Sequence, residues 1–204
     1  MKELRNSSIF GGLVRAMLRI ISGEHKGRII KSVTGRHTRP TTDKVKESLF
    51  NILQPKLPGA FVLDLFSGTG NLGLESLSRG AENVVFVERD RAALHVLYEN
   101  CHALGYDEYS DILPYDFKRA ITRLSEMNKS FDIVLMDPPY EHGLEVGAIQ
   151  ALDEGDLVKN DGIIVVEHLV LNALPQCIGK FSRYDLRKYG NTAISFYGKE
   201  TCHQ

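Results

Sequence analysis

Two stretches of this chain carry residue types at spacings that do chemistry. The first is Asp137-Pro138-Pro139-Tyr140, directly after the apolar, β-branched run Phe131 to Met136. Such a run is short enough to be a strand buried on both faces. Two consecutive prolines donate no backbone hydrogen bonds and have fixed φ, so strand pairing must stop there. The product is a rigid turn at the carboxyl end of a strand, the edge where open α/β sheets bind ligands. It offers an acidic acceptor in Asp137, the Pro138 carbonyl with no competing N–H beside it, and the aromatic face of Tyr140. These parts suit a flat heterocycle held by stacking, with its exocyclic amine bonded to the carboxylate. The plainer alternative is a strand-ending turn whose Asp caps the next helix.

The second stretch is Asp64 to Gly73, in which Gly68, Gly70 and Gly73 satisfy G-x-G-x-x-G between a strand and a helix. Glycines let such a bend tighten and let backbone approach a ligand closely. Dinucleotide and S-adenosylmethionine sites both produce this pattern. Asp64 lies inside the end of the strand, before the glycines, with Phe66 and Ser67 leading into the bend. A carboxylate there repels a pyrophosphate and suits the ammonium and sulfonium of S-adenosylmethionine. Glu88, with Arg89 after it, ends the second strand in position to accept both ribose hydroxyls. Asp116, followed by Phe117, comes after the third strand and is a candidate for the adenine amine. Helix capping is the alternative for Glu88 and Asp116.

The elements that position these groups alternate. Strands are expected at 61–66, 84–88, 109–113, 131–136 and 162–167, and helices at 71–79, 91–104, 117–127 and near 144–152. Alternation of this kind implies a doubly wound, mostly parallel sheet. The last two runs, 181–186 and 192–197, are joined by only five residues, too few for a helical crossover, so that pair must be antiparallel. Ahead of them, 18–22 and 28–33 read as a hairpin. A helix starting near Thr42 or Asp43 has Val45, Leu49, Ile52 and Leu53 as its apolar stripe, with Lys44 and Lys46 on the other side.

The chain has 204 residues and a net charge of −1. Between Arg19 and Lys46 eight lysines and arginines face two acids, a local surplus of six. A basic arm on an acidic body suggests a polyanionic partner; a solvated charged face is the alternative. Three scattered cysteines without a Cys-x-x-Cys pair, and no histidines at zinc spacing, argue against a structural metal and fit a reducing cytosol. No apolar run approaches the ~20 residues of a membrane helix, and the polar start lacks the apolar core of a signal peptide. His25 and His37 are expected to assist phosphate contacts rather than bind metal, and His168 to be structural. The division expected is a loose tail at 1–16, a basic extension at 17–55 and the main domain at 56–204.

The segments RIISGEHKGR, TRPTTDKVKESLFNIL, LDLFSGTGNLGLESLSRGA, VVFVERD and MDPPY together resemble the bacterial small-subunit (16S) ribosomal RNA guanine-N2 methyltransferases, the RsmD family, from about Leu18 to Tyr197. The resemblance implies a class I methyltransferase with a seven-stranded sheet whose last strand is antiparallel. It also implies S-adenosylmethionine as cofactor, and methylation of one guanine in ribosomal RNA or an assembling small-subunit particle. It places Asp64, Gly68, Gly70 and Glu88 at the cofactor and Asp137 and Tyr140 at the base. Pro114-Tyr115-Asp116-Phe117 departs from the small-residue–Asp pattern expected there. For the basic arm, Arg19, Lys26, Arg28, Arg36, Arg39 and Lys44 are the expected phosphate contacts, with Lys31 behind them. A cytoplasmic monomer is expected. Rival readings are an adenine-N6 methyltransferase, which shares the proline-turn chemistry, and a non-catalytic RNA-binding assembly factor on the same scaffold. A nicotinamide-dependent oxidoreductase is disfavoured by Asp64.

Overall fold

A computed structural model of the chain describes residues 18–33, 43–139 and 143–199. The helix α1 (Asp43–Leu53) precedes β1 (Phe61–Asp64), α2 (Asn71–Ser78), β2 (Asn83–Val87), α3 (Arg91–Leu104) and β3 (Ser110–Leu113). Then follow α4 (Phe117–Glu126), β4 (Phe131–Met136), α5 (Leu144–Glu154), β5 (Val158–Leu169), β6 (Cys177–Ile178), β7 (Phe181–Tyr189) and β8 (Thr192–Lys199). The strands form one sheet in the order β3-β2-β1-β4-β5-β8-β7-β6. The first five pair in parallel, and β8 is antiparallel to both β5 and β7. The chain order reverses between β1 and β4, and such a switch point opens a crevice beyond the strand ends.

The sheet has eight strands, not seven. The additional one is the two-residue β6, which closes the edge by pairing with the start of β7. Residues 18–33 form the expected hairpin in short form: one antiparallel bridge, Arg19 to Ile29, with Ile20 N–H donating to the Arg28 carbonyl and Ile30 N–H to the Leu18 carbonyl, both at 2.9 Å. Their backbone is also fastened to α2: the N–H groups of Ile21 and Ser22 donate to the Glu75 carboxylate at 2.7 and 3.0 Å, and Glu24 N–H donates to the Ser78 carbonyl.

Alternation along the strands divides the core into two layers. Val62, Phe86, Ile133, Leu135 and Val165 face α1, α2 and α3 in one cluster, which also takes in Ile20, Ile30, Leu49, Phe50 and Leu53. Leu63, Val85, Val134, Met136 and Val166 face α4 and α5 in the other. The N-terminal segment thus shares the core of the sheet.

The stripe of α1 is turned from its expected position. Lys46, expected to face solvent with Lys44, is 1 % exposed, whereas Ile52 is 38 % exposed. Lys46 Nζ donates to the Arg19 carbonyl at 2.5 Å and to Asn71 Oδ1 at 2.9 Å, and lies 3.2 Å from Glu75 Oε2. Glu75, wholly buried, also receives Arg79 Nε at 2.8 Å. Buried charges persist only when paired and hydrogen-bonded. Helix periodicity cannot reveal this, because the acid that draws Lys46 inward lies on α2.

Candidate active site

The bend after β1 carries three glycines with three different tasks. Gly68 has φ +53°, and a Cβ built there meets nothing within 4 Å. Gly70 has φ +91° and caps α2; a Cβ there meets Leu97 Cδ1 at 2.6 Å. At Gly73 a Cβ meets the Phe86 ring at 2.2 Å, so this glycine lets α2 lie close on β2. Only Gly68 faces open space, so that is where backbone stands open to a ligand.

Asp64 is buried beneath this bend and accepts the Gly73 N–H at 2.9 Å. Burial raises its carboxyl from the ordinary 3.8 to about 7; the Gly73 bond opposes that rise and the Glu88 charge adds to it. A buried acid of this kind is matched by a cationic group. Glu88 Oε2 accepts the Gly68 N–H at 2.9 Å, while Oε1 accepts the N–H groups of Arg89 and Asp90 at 2.8 and 2.7 Å. The carboxylate thus clamps the glycine bend to the end of β2. Ser67 N–H and Oγ both donate to the Val87 carbonyl, which holds the same two loops together. A pyrophosphate in this bend would face both carboxylates, whereas an ammonium and a pair of hydroxyls fit them.

Asp116 is exposed and caps α4, its Oδ1 accepting the N–H groups of Lys118 and Arg119 at 3.0 and 3.2 Å. The capping alternative therefore holds, and both bonds fall on Oδ1. Phe117 packs on Phe66 with ring centroids 5.6 Å apart, both half-buried. The pair makes an apolar wall beside the bend. Arg89 is exposed.

Asp64 pairs in register with Leu135, and Leu135 with Val165. Side chains two residues apart share a face, so Asp137 and Glu167 stand on the same face as Asp64, one step further toward the carboxyl edge. Asp137 is half-buried, with Pro138 buried behind it. Burial, then the charges of Glu167 and Asp64, hold its carboxyl well above the usual range. The acid of the proline turn and the acid of the glycine bend thus feel each other across one crevice. Tyr140 lies outside the described residues. His168 is buried, with Nε2 2.9 Å from Ser195 Oγ and Nδ1 3.0 Å from the Leu169 carbonyl, a structural role as expected.

Several arm residues are engaged by the protein itself. Arg19 Nε donates to Asp43 at 2.7 Å, Arg28 Nη2 to the Ala103 carbonyl at 3.1 Å, and Lys31 Nζ to Glu99 at 3.1 Å. Lys26 and Lys44 are exposed, and Arg36, Arg39 and His37 lie outside the described residues. The His25 ring meets Tyr106 edge-on at 5.0 Å.

Sequence reasoning missed Asn100 of α3. Its Oδ1 accepts Lys31 N–H at 2.8 Å, and its Nδ2 donates to the carbonyls of Lys31 and Thr69 at 3.0 and 2.9 Å. It ties the arm to the glycine bend. The available signal was a polar residue on the apolar stripe Leu97, Cys101, Leu104. Glu167 was likewise unassigned, although an acid ends each of the other site strands. Among the described residues no cluster of histidine, cysteine and acids is arranged to hold a metal ion, and no helix is long and apolar enough to cross a membrane.

A mostly parallel sheet with the antiparallel β8 inserted beside β5, a glycine bend after β1 and an acid ending β2 define a class I, S-adenosylmethionine-dependent methyltransferase fold. Residues 18–198 match the family described as "Conserved hypothetical protein 95". The chain belongs to this family, the RsmD family. It is similar to YlbH of Bacillus subtilis, 38 % identical over 89 % of this chain and 99 % of that one. It is also similar to "Ribosomal RNA small subunit methyltransferase D" of Escherichia coli K12, 34 % identical over 90 % of each. Among solved structures, yhhF of Escherichia coli is 33 % identical with a TM-score of 0.80, over 90 % of this chain and 98 % of that one.

Proposed function

We propose that the chain transfers a methyl group from S-adenosylmethionine to the exocyclic N2 of a guanine in small-subunit ribosomal RNA. The observation that carries this reading is the meeting of Asp64 and Asp137 on one sheet face at the switch point. A ribosomal RNA substrate is the one named for the Escherichia coli relative.

The cofactor supplies an electrophilic methyl on a sulfonium. Asp64 would receive the amino-acid ammonium, Glu88 the ribose hydroxyls, and the Phe66–Phe117 wall the adenine ring, with Asp116 at its rim. Gly68 presents backbone, Ser67 and Gly70 hold the bend that exposes it, and Arg89 closes the outer side. A guanine N2 lone pair is delocalised into the ring, so the amine is a weak nucleophile. Positioning that amine against the methyl donor can supply ~7–11 kcal/mol. Asp137 accepts one N2–H and the Pro138 carbonyl the other, while Tyr140 stacks on the ring. Positive charges arriving beside Asp64 and Asp137 draw both carboxyls back toward ionisation. Asp137 then stabilises the charge that grows on nitrogen and takes the proton. The base must leave its stack to reach this turn.

The segment from residue 17 to 55 acts as the RNA-gripping extension, with Lys26, Lys44, Arg36 and Arg39 on phosphates. Arg19 and Arg28 contribute at its edge. Phosphate contacts position RNA without reading sequence. The test is methyl transfer from labelled cofactor to hypomethylated small-subunit particles, followed by mapping of the label. Label on a guanine N2 supports the reading, label on an adenine N6 replaces it with the rival methyltransferase, and no transfer leaves the assembly-factor reading. Titration against S-adenosylmethionine and NAD separates the cofactor classes.

A further inference from the structure

Beyond the carboxyl end of β5 the chain turns sharply through Leu169-Val170-Leu171-Asn172. The turn is held by two backbone bonds: Asn172 N–H donates to the Leu169 carbonyl at 2.9 Å, and Val170 N–H to the Asn191 carbonyl in the β7–β8 connection, also at 2.9 Å. On it Leu171 is 93 % exposed, the highest value among the exposed large apolar side chains of the described residues. Single exposed apolar residues are ordinary on protein surfaces. This one is set apart by its placement. It follows Glu167 by four residues, within ~13 Å of chain, so it stands at the same edge as Asp137. Its turn is pinned to a neighbouring hairpin rather than left loose.

Lys188 stands at the same carboxyl edge, on the face of the sheet opposite Glu167. His168 pairs with Ala193, and Ala193 pairs with Lys188, so the three lie in one row across β5, β8 and β7. Lys188 is exposed and makes no hydrogen bond or ion pair among the described residues. An apolar side chain held out at the same sheet edge as an unengaged cation suits stacked bases with a phosphate further along the strand. Proteins that unstack nucleic acid insert apolar wedges of this kind, leucine among them.

We infer that Leu171 enters the RNA stack where the target base leaves it, with Lys188 against a phosphate further along the strand. This rests on the proposed function, in which the base is turned out of its stack. Filling the vacated step offsets part of the unstacking cost of a few kcal/mol.

The test compares wild type, Leu171→Ser, Leu171→Met and Lys188→Gln on hypomethylated small-subunit particles, with cofactor affinity and melting temperature measured for each. Leu171→Ser is expected to lower kcat/KM about tenfold, equivalent to ~1.4 kcal/mol. Leu171→Met is expected to stay near wild type, and Lys188→Gln to raise KM and flatten the salt dependence. Cofactor affinity and melting temperature stay unchanged in all three, because neither side chain is buried. Wild-type turnover by Leu171→Ser overturns the wedge and leaves the proposed function standing. A parallel loss of cofactor affinity makes the turn part of the cofactor site and also overturns it. Particles that wild type itself does not methylate overturn both readings.

Discussion

Replacing Asp64 by Asn separates what this residue costs the fold from what it contributes to the site. In the unfolded chain its carboxyl ionises near 3.8, and in the folded protein near 7. Between those values the folded state binds the extra proton, so stability falls as pH rises through the window. The displacement corresponds to ~4 kcal/mol, in full force above pH 7 and absent below pH 4. Asn can still accept the Gly73 N–H but carries no charge. The cofactor-free variant is therefore expected to be more stable than wild type by up to ~4 kcal/mol at pH 8 and similar to it at pH 4. Loss of the Asp64 charge also relieves Asp137, which acts in the same direction. Binding moves oppositely: losing a charged hydrogen bond to the ammonium costs ~1.5–3 kcal/mol, a fall of about 10- to 150-fold in affinity. Urea unfolding at several pH values, with and without S-adenosylmethionine, measures both effects. A stability difference independent of pH, or an Asp64→Asn variant that binds cofactor as tightly as wild type, refutes this account of the residue.

Other perturbations divide along the same line. Asp137→Ala is expected to keep cofactor affinity and lose most methyl transfer in a single-turnover assay; wild-type transfer would remove Asp137 from the mechanism. Gly68→Ala, with open space for its methyl but a left-handed φ, should cost ~1–2 kcal/mol of stability and impair cofactor binding. Gly73→Ala forces a methyl into the Phe86 ring and should cost ~1–3 kcal/mol with cofactor affinity per folded molecule retained, as thermal unfolding and calorimetry will read. Lys46→Met removes one cation from buried Glu75 and should cost ~3–5 kcal/mol, toward the lower end because Arg79 and two N–H groups remain. RNA affinity should fall steeply and linearly in log–log plots against salt; a flat response refutes the phosphate role of the arm.

What sequence alone determined is local. The apolar runs, the G-x-G-x-x-G bend and the double proline dictate strands, a tight turn and a strand stop within a few residues of themselves, and the five-residue connection before Thr192 forces an antiparallel pair. An acid at the end of a strand is legible in the same way. Tertiary structure decided which charges meet. Lys46 lies on the polar side of α1 by periodicity, yet Glu75 draws it inward. Asp116 serves as a cap because its backbone turns into α4. Arg19, Arg28 and Lys31, read as free cations, find Asp43, the Ala103 carbonyl and Glu99. Asn100 joins arm to bend across segments far apart in the chain. Propensity and spacing act between neighbours along the backbone. Desolvation and ion pairing act between whatever the fold brings within a few ångströms, and no pattern in one segment encodes its distant partner.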